Sequence, residues 1–196
     1  MQPNSHIMDT RVKLKKAIVE WQESELPPLQ QRICKTNIDA PHINDIIGVR
    51  RCGKTYYMYQ LISELLGRGV PKTSILYFNL DDDRLQPLKG DELALLIDTF
   101  RELYPTSGEE VLYLFLDEIQ NFPGWEKWMK GVYDRQKNVK LMISGSSASL
   151  LAKDVSSRLT GRHLTTRMFP FSFAEYLRSQ KVDFDIEILP FSKKKI

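Results

Sequence analysis

Residues 48–55 read GVRRCGKT and satisfy the pattern G-x-x-x-x-G-K-[ST] at every specified position. A short, partly apolar run from Ile43 to Gly48 leads into this stretch, and a helical pattern from Lys54 to Leu66 follows it. Strand, glycine loop and helix in this order are typical of a loop that binds phosphate. Glycines let backbone N–H groups turn towards phosphate oxygens, and the helix adds the positive end of its dipole. The stretch therefore predicts a site for nucleotide phosphates.

The residues of this phosphate loop have different expected roles. Lys54 can reach the β and γ phosphates as a mobile point charge, and the Thr55 hydroxyl is a ligand for Mg²⁺. The backbone does the binding at Arg50 and Arg51, so we expect their side chains to face solvent or a neighbouring subunit. Cys52 is either a reactive thiol beside cationic groups or, more simply, a small apolar filler. The predicted nucleotide contacts are Gly48, Arg50, Arg51, Cys52, Gly53, Lys54, Thr55 and Tyr56.

A second signal is the acidic pair Asp117 and Glu118. It directly follows VLYLFL at residues 111–116, the most apolar run of the chain. Open α/β sheets bind their ligands at the carboxyl ends of strands. Because a phosphate loop needs a metal-binding acid on another strand, we assign Asp117 to Mg²⁺ and Glu118 to the general base that polarises water. The alternative is an exposed turn just past a buried strand.

Further polar residues are candidates for contact with the γ phosphate. Ser144 ends the next predicted strand, where a hydroxyl can bridge the attacking water and the phosphate. Ser146 is a second candidate for this role, or the N-cap of a short helix after it. Arg158 and Arg162 lie in a polar loop, and either can supply transition-state charge as an arginine finger, although most loop arginines are solvated.

Strand and helix patterns alternate along the chain. After the first strand, apolar or β-forming runs predict further strands at residues 74–80, 111–116, 139–144 and 164–169. Helices are predicted at residues 9–24, 54–66, 91–103, 125–135, 148–153 and 173–179. Parallel neighbours need crossover connections, so the pattern predicts a doubly wound parallel five-stranded α/β sheet. We divide the chain into a helical lead-in and linker (1–40), a P-loop core (41–180) and a tail (181–196).

Composition excludes several classes of protein. The 196 residues are 42% hydrophobic and 27% charged, as expected for one globular domain. The net charge of +3 is spread along the chain, so the charge pattern does not support a nucleic-acid partner, although it leaves one open. No apolar run is long enough to span a bilayer. Two cysteines, one of them in the loop, argue against a structural disulfide and favour the cytoplasm.

The chain resembles the prokaryotic AAA+-like P-loop ATPases, whose longer members carry winged-helix-like and nuclease-like C-terminal regions. The segments that carry the resemblance occur in this order: GVRRCGKT, ILYFNLDDDRL, LFLDEIQNFPGWEKWMKGVYDR, LMISGSSASLL, LTGR and FPFSFAEYL. The resemblance implies an additional strand between the Walker A and Walker B strands, and ATP as the nucleotide. It makes residues 48–55 the Walker A motif, Asp117 and Glu118 the Walker B acids, Ser144 a sensor-like residue and Arg162 the better finger candidate.

These observations predict Mg-dependent ATP hydrolysis that drives or gates a partner. A homo-oligomer or a partner domain is then expected to supply or receive an arginine finger. The alternative is a nucleotide-gated binding module with little hydrolysis that recruits protein or DNA. Because only a short tail follows residue 180, without room for a helical lid, we expect slow turnover from this chain in isolation.

Overall fold

The computed structural model describes residues 5–85, 92–105, 110–146 and 161–181. Its strands are β1 (Ile43–Gly48), β2 (Ile75–Asn79), β3 (Leu112–Asp117), β4 (Val139–Ser146) and β5 (His163–Met168). They form one parallel sheet in the order β2-β3-β4-β1-β5. The predicted doubly wound α/β fold is confirmed, and β4 is the additional strand between β1 and β3.

Helices cover both faces of this sheet. They are α1 (Ser5–Glu23), α2 (Lys54–Gly67), α3 (Glu92–Leu103), α4 (Trp125–Arg135) and α5 (Phe173–Ser179). Because side chains alternate along a strand, Ile43 and Ile47 of β1 belong to an apolar core shared with α1, α3 and α4. Ile46 belongs to a second core, on the face that α2 covers. Burial on both faces explains why β3 is apolar along most of its length.

The lead-in helix α1 packs against the rest of the domain. Leu14 and Ile18 are buried in the same core as α3, and the Thr10 hydroxyl donates to Glu92 Oε1 at 2.6 Å. The helix predicted at 148–153, Arg158 and most of the predicted tail lie outside the described residues. Within the described ranges, no helix is both long and apolar enough to cross a membrane.

The expected end of β4 is wrong by two residues. The strand continues past Ser144 because Ser146 pairs in register with Gly48 of β1. The Ser144 side chain is therefore fully buried inside the sheet and does not stand at an exposed strand tip. The predicted cap of α5 is present, with Ser172 and Glu175 forming a reciprocal capping box.

Candidate nucleotide site

The phosphate loop turns at the carboxyl end of β1, and its glycines are required by space and by backbone angle. A Cβ at Gly48 would lie 2.6 Å from Cys52 Sγ and 2.6 Å from the Met168 carbonyl oxygen. Gly53 has φ of 95° and Arg51 has φ of 63°, both in the left-handed region. Cys52 is buried, which fits the filler interpretation of its side chain. The loop thus closes tightly before α2 begins.

Asp117 is the centre of a cluster of hydroxyl groups. Its Oδ2 accepts hydrogen bonds from Thr55 Oγ1 at 2.6 Å and from the Tyr77 hydroxyl at 2.9 Å. Its Oδ1 accepts a hydrogen bond from Ser144 Oγ. Asp117 is 1% exposed, so these donors are what compensate a buried carboxylate. The structure brings three predicted site residues, Thr55, Asp117 and Ser144, into direct contact.

Glu118 connects this cluster to the phosphate loop. Its backbone has φ of 53°, and its N–H donates to Ser144 Oγ at 3.1 Å. Its Oε1 lies 3.4 Å from Lys54 Nζ, which also donates weakly to the Gly48 carbonyl at 3.5 Å. Lys54 is almost fully buried, whereas Glu118 is partly open to solvent. The lysine and the acid predicted to face the γ phosphate therefore form an ion pair.

Sequence reasoning missed Tyr77. Burial and the neighbouring charge of Asp117 raise the pKa of Tyr77 far above its ordinary value, so its hydroxyl remains a hydrogen-bond donor. Trp21 of α1 packs on this tyrosine with ring centroids 6.0 Å apart. The pairing of β2 with β3 brings Tyr77 to Asp117, and no local sequence motif predicts that pairing.

A cavity of about 380 Å³ opens beside the phosphate loop. Its lining comes from three parts of the chain: the linker before β1, the loop with the start of α2, and the segment after β5. The lining includes Pro28, Arg32, Arg51, Tyr56 and Phe171. Tyr56 and Phe171 are about half exposed, so they offer aromatic surface to a ligand. Of the two loop arginines, both exposed, only Arg51 lines this cavity.

Arg32, which sequence reasoning also missed, ties the wall of this cavity together. Its guanidinium donates to Glu175 Oε1 at 2.8 Å, to the Cys52 carbonyl at 2.6 Å and to the Phe169 carbonyl at 2.6 Å. It also lies 4.9 Å from the ring centre of Phe171. With both side chains of the Arg32–Glu175 pair buried, one guanidinium joins the linker, the phosphate loop and α5.

The charge of Glu175 is stabilised by this arrangement. Burial by itself raises the pKa of Glu175, but hydrogen bonds from Arg32 and from the N–H groups of Ser172 and Ile33 outweigh it. Together they hold the pKa at about 2. The sequence revealed Glu175 only as a capping residue, because its partner Arg32 lies 143 residues away.

Arg162 does not join the site of its own chain. Its carbonyl accepts a hydrogen bond from the N–H of Ile43, the first residue of β1, whereas the phosphate loop follows the last residue of that strand. Five strand residues span about 16 Å. The Arg162 side chain lies 3.5 Å from Asp134 of α4. At that distance Arg162 cannot reach the phosphate loop of its own chain, so its role as an arginine finger stays a prediction that concerns a neighbouring chain.

The donor set fits a nucleotide with Mg²⁺. Thr55 and Asp117 offer a hydroxyl and a carboxylate oxygen in contact with each other, the ligand types that Mg²⁺ prefers. Among the described residues, no three His, Cys, Asp or Glu side chains converge on one point.

Comparison with known proteins agrees with this architecture. A sequence model described as an AAA domain matches residues 40–177. An uncharacterised protein of Methanocaldococcus jannaschii is 36% identical over 136 residues, covering 69% of this chain and 28% of the relative. An uncharacterised protein of Haemophilus influenzae is 34% identical over 146 residues, covering 74% of this chain and 35% of the relative. The chain thus spans about a third of these relatives or less.

The fold is also similar to that of a solved structure, the S. cerevisiae Hsp104-ADP complex. The TM-score is 0.50 at 16% identity, over 91% of this chain and 23% of that one. The range matched by the AAA domain model contains every described strand, the phosphate loop, Asp117 and Glu118. These findings support a nucleotide-binding, AAA-like function for this domain, and the chain belongs to the AAA domain family.

Proposed function

We propose that this domain binds Mg-ATP at the phosphate loop and hydrolyses it, and that the cycle drives or gates a partner domain or subunit. One observation carries the proposal. Lys54 of the loop contacts Glu118, which directly follows β3, and Thr55 contacts Asp117, the last residue of β3. A phosphate-binding element and an acidic one thus meet in a single cluster. Backbone N–H groups of the loop bind phosphate oxygens, and Lys54 neutralises charge on the β and γ phosphates.

The metal site uses the contact between Thr55 and Asp117. Both supply oxygen ligands to Mg²⁺, Thr55 directly and Asp117 directly or through a bound water. When bound, Mg²⁺ offsets the negative charge that develops on the phosphate oxygens. Tyr77 and Ser144 keep the Asp117 carboxylate in one orientation by donating to its two oxygens. Ser144 also receives the N–H of Glu118, so it aligns both acids.

The base for water attack is Glu118. The polyphosphate carries more negative charge than one carboxylate, so it draws Lys54 away and frees Glu118 Oε1. Glu118 then orients a water molecule, whose oxygen forms a bond to the γ phosphorus while the bond from that phosphorus to the leaving ADP oxygen breaks. The water proton passes to Glu118, and the products are ADP and inorganic phosphate.

The nucleotide base fits the cavity beside the loop. A volume of about 380 Å³ lies in the range of small-ligand sites. Tyr56 and Phe171 supply aromatic surface for adenine, and Arg32 closes the inner wall. The linker before β1 is therefore part of the proposed ATP site, together with the P-loop core.

The test replaces Glu118, the proposed general base, and Lys54, the loop lysine, in separate variants. We expect Glu118→Gln to keep ATP affinity within about threefold and to lower phosphate release by about 10²–10⁴-fold, the usual contribution of a general base. Lys54→Ala should lose Mg-ATP binding in titration calorimetry. Glu64→Gln, on the exposed face of α2, is the matched control and should behave as wild type. Undiminished phosphate release by Glu118→Gln would remove this glutamate from its role.

A second candidate, a nucleotide-gated binding module, is favoured by one feature. Phe169, Phe173 and Tyr176 are 71%, 65% and 53% exposed, and they lie beside the segment that lines the nucleotide cavity. Such aromatic surface suits contact with a partner. Turnover at saturating ATP, with and without DNA, separates the two candidates. A binding module shows stoichiometric ATP binding with almost no phosphate release, whereas an ATPase turns over repeatedly.

A further inference from the structure

Gln120 is a polar residue beside Glu118, the proposed general base. The hydrolysis proposed above makes no use of the contacts of Gln120. This residue lies in the 3-10 turn Ile119–Asn121, directly after Glu118. Its Nε2 donates to Glu118 Oε2 at 2.5 Å. Its other polar atom, Oε1, is buried and has no hydrogen-bond partner among the residues that the structure describes. A buried acceptor without a partner costs free energy, so the position needs an explanation.

The unpartnered oxygen follows from the contact with Glu118. A carboxylate only accepts hydrogen bonds, so the amide nitrogen must be the atom that faces it. The amide oxygen then points away from Glu118, where no donor of the described residues reaches it. Glu118 itself has a left-handed backbone with φ of 53°, which is unfavourable for a residue with a side chain. Two local costs therefore meet at one carboxylate, as expected where function rather than stability sets the geometry.

The two oxygens of Glu118 have different partners. Lys54 lies on Oε1 and Gln120 on Oε2. Lys54 belongs to the phosphate loop and leaves when polyphosphate binds. Gln120 belongs to the same turn as Glu118, carries no charge, and has no reason to leave. After Lys54 moves, Gln120 is the contact that decides which oxygen of Glu118 is free and where it points.

We propose that Gln120 is a positioning residue that acts through Glu118. It holds Oε2 so that Oε1 faces the nucleotide and can polarise water once Lys54 has moved to the phosphates. This inference rests on the hydrolysis proposed above. It predicts that Gln120 contributes little to the ground state with ATP and contributes mainly to the transition state, where the water must be correctly placed.

The test is Gln120→Met, which keeps the length of the side chain and removes both polar atoms. We expect ATP affinity within about twofold of wild type and kcat lowered by about 10–100-fold, the effect of a misplaced catalytic group. A second readout needs no turnover. Affinity for Mg-ADP with aluminium fluoride, a transition-state analogue, should fall by a similar factor, while affinity for Mg-ADP alone stays unchanged.

Controls separate positioning from folding. Gln136→Met is the matched variant. Gln136 also has a buried Oε1 without a partner in the described part of the chain, but it lies at the end of α4, away from the site. This variant should leave kcat and both affinities unchanged. The thermal midpoint of Gln120→Met should equal or exceed that of wild type, since an unpartnered buried acceptor has been removed.

Each outcome decides the matter. If wild type turns over and Gln120→Met keeps both kcat and affinity for the analogue, the positioning role is wrong while hydrolysis stands. If Gln120→Met loses affinity for ATP and for the analogue equally, its role is ground-state binding and the proposal is also wrong. If wild type releases no phosphate and does not bind the analogue more tightly than ADP, hydrolysis fails and the role of Gln120 fails with it.

Discussion

Gly48 shows how much of the site depends on a missing side chain. A Cβ there would meet Cys52 Sγ and the Met168 carbonyl, both at 2.6 Å, and the carbonyl belongs to the backbone of β5. We expect Gly48→Ala to lower the free energy of unfolding by about 1–3 kcal/mol, as overpacking does. It should also lower ATP affinity more than tenfold, because the loop must move outward. Urea unfolding and titration calorimetry measure the two effects.

Gly67→Ala is the control for this change. Gly67 ends α2, and an added Cβ there meets no atom of the described residues within 4 Å. Its stability and ATP affinity should equal those of wild type or slightly exceed them, because alanine is the better helix former. Equal effects of both substitutions would mean that the close contact at Gly48 is unimportant.

The sequence was sufficient for residues whose chemistry is written in a local pattern. Lys54, Thr55, Asp117 and Glu118 could be singled out because a phosphate loop and an acidic strand end each have a recognisable sequence, and the structure brings these four residues together. Arg32 and Tyr77 could not, since their roles arise from long-range contacts. Arg32 meets Glu175 across 143 residues, and Tyr77 meets Asp117 across 40. An arginine in a polar linker looks like any solvated arginine.

At the scale of elements, α5 is attached to the phosphate loop through a charge. Glu175 has a folded pKa of about 2, below its ordinary value of 4.5. A lowered pKa stabilises the fold above pH 4.5, and that stabilisation is lost as the pH falls from 4.5 towards 2. We therefore expect Glu175→Gln to be clearly less stable than wild type at pH 6. The gap in free energy of unfolding should narrow steadily towards pH 3, as measured by urea unfolding at each pH.

Ser172→Ala serves as the control for the pH effect. It removes the hydroxyl of the capping box but leaves the ion pair of Arg32 and Glu175 in place. Its stability should be lower by about 1 kcal/mol, the usual contribution of an N-cap. It should keep most of the pH dependence of wild type, because Arg32 and the N–H groups of residues 172 and 33 still donate to Glu175. A constant gap between wild type and Glu175→Gln at every pH would contradict the role assigned to this charge.

Most bounds of the elements followed from apolar periodicity, and the exceptions have a physical cause. The predicted limits of α4 and α5 match those observed, since both helices have clear patterns and breakers. The end of β4 could not be predicted, because its last residues are held by pairing with Gly48 and not by their own propensity.

At the scale of the whole molecule, Arg162 and the phosphate loop lie at opposite ends of β1, because Arg162 is bonded to its first residue, Ile43, and the loop starts at its last residue, Gly48. If Arg162 acts in hydrolysis, it acts on the nucleotide of another chain. Arg162→Ala and Glu118→Gln should then each lack activity alone. Their mixture should recover part of it, because an intact Arg162 meets an intact Glu118 at some interfaces. Phosphate release from mixtures of different ratios measures this.

Arg167→Ala is the matched control, an exposed arginine on the same strand β5, and it should retain activity alone. Full activity of Arg162→Ala alone would show that Arg162 is not the finger. Parallel strands followed from the alternation of elements, and the place of β4 between β1 and β3 followed from the family resemblance. Neither the alternation of elements nor the family resemblance indicated at which end of β1 Arg162 would lie.

The packing of Trp21 on Tyr77 gives the molecule an optical reporter. The Trp21 indole packs on Tyr77, and Tyr77 donates a hydrogen bond to Asp117, the carboxylate that we assign to Mg²⁺. Any change in the polarity or tilt of that tyrosine alters the emission of the indole. With Trp125 and Trp128 replaced by phenylalanine, Trp21 would be the single tryptophan. Its intrinsic fluorescence would follow the binding of nucleotide and Mg²⁺ in real time, without a dye.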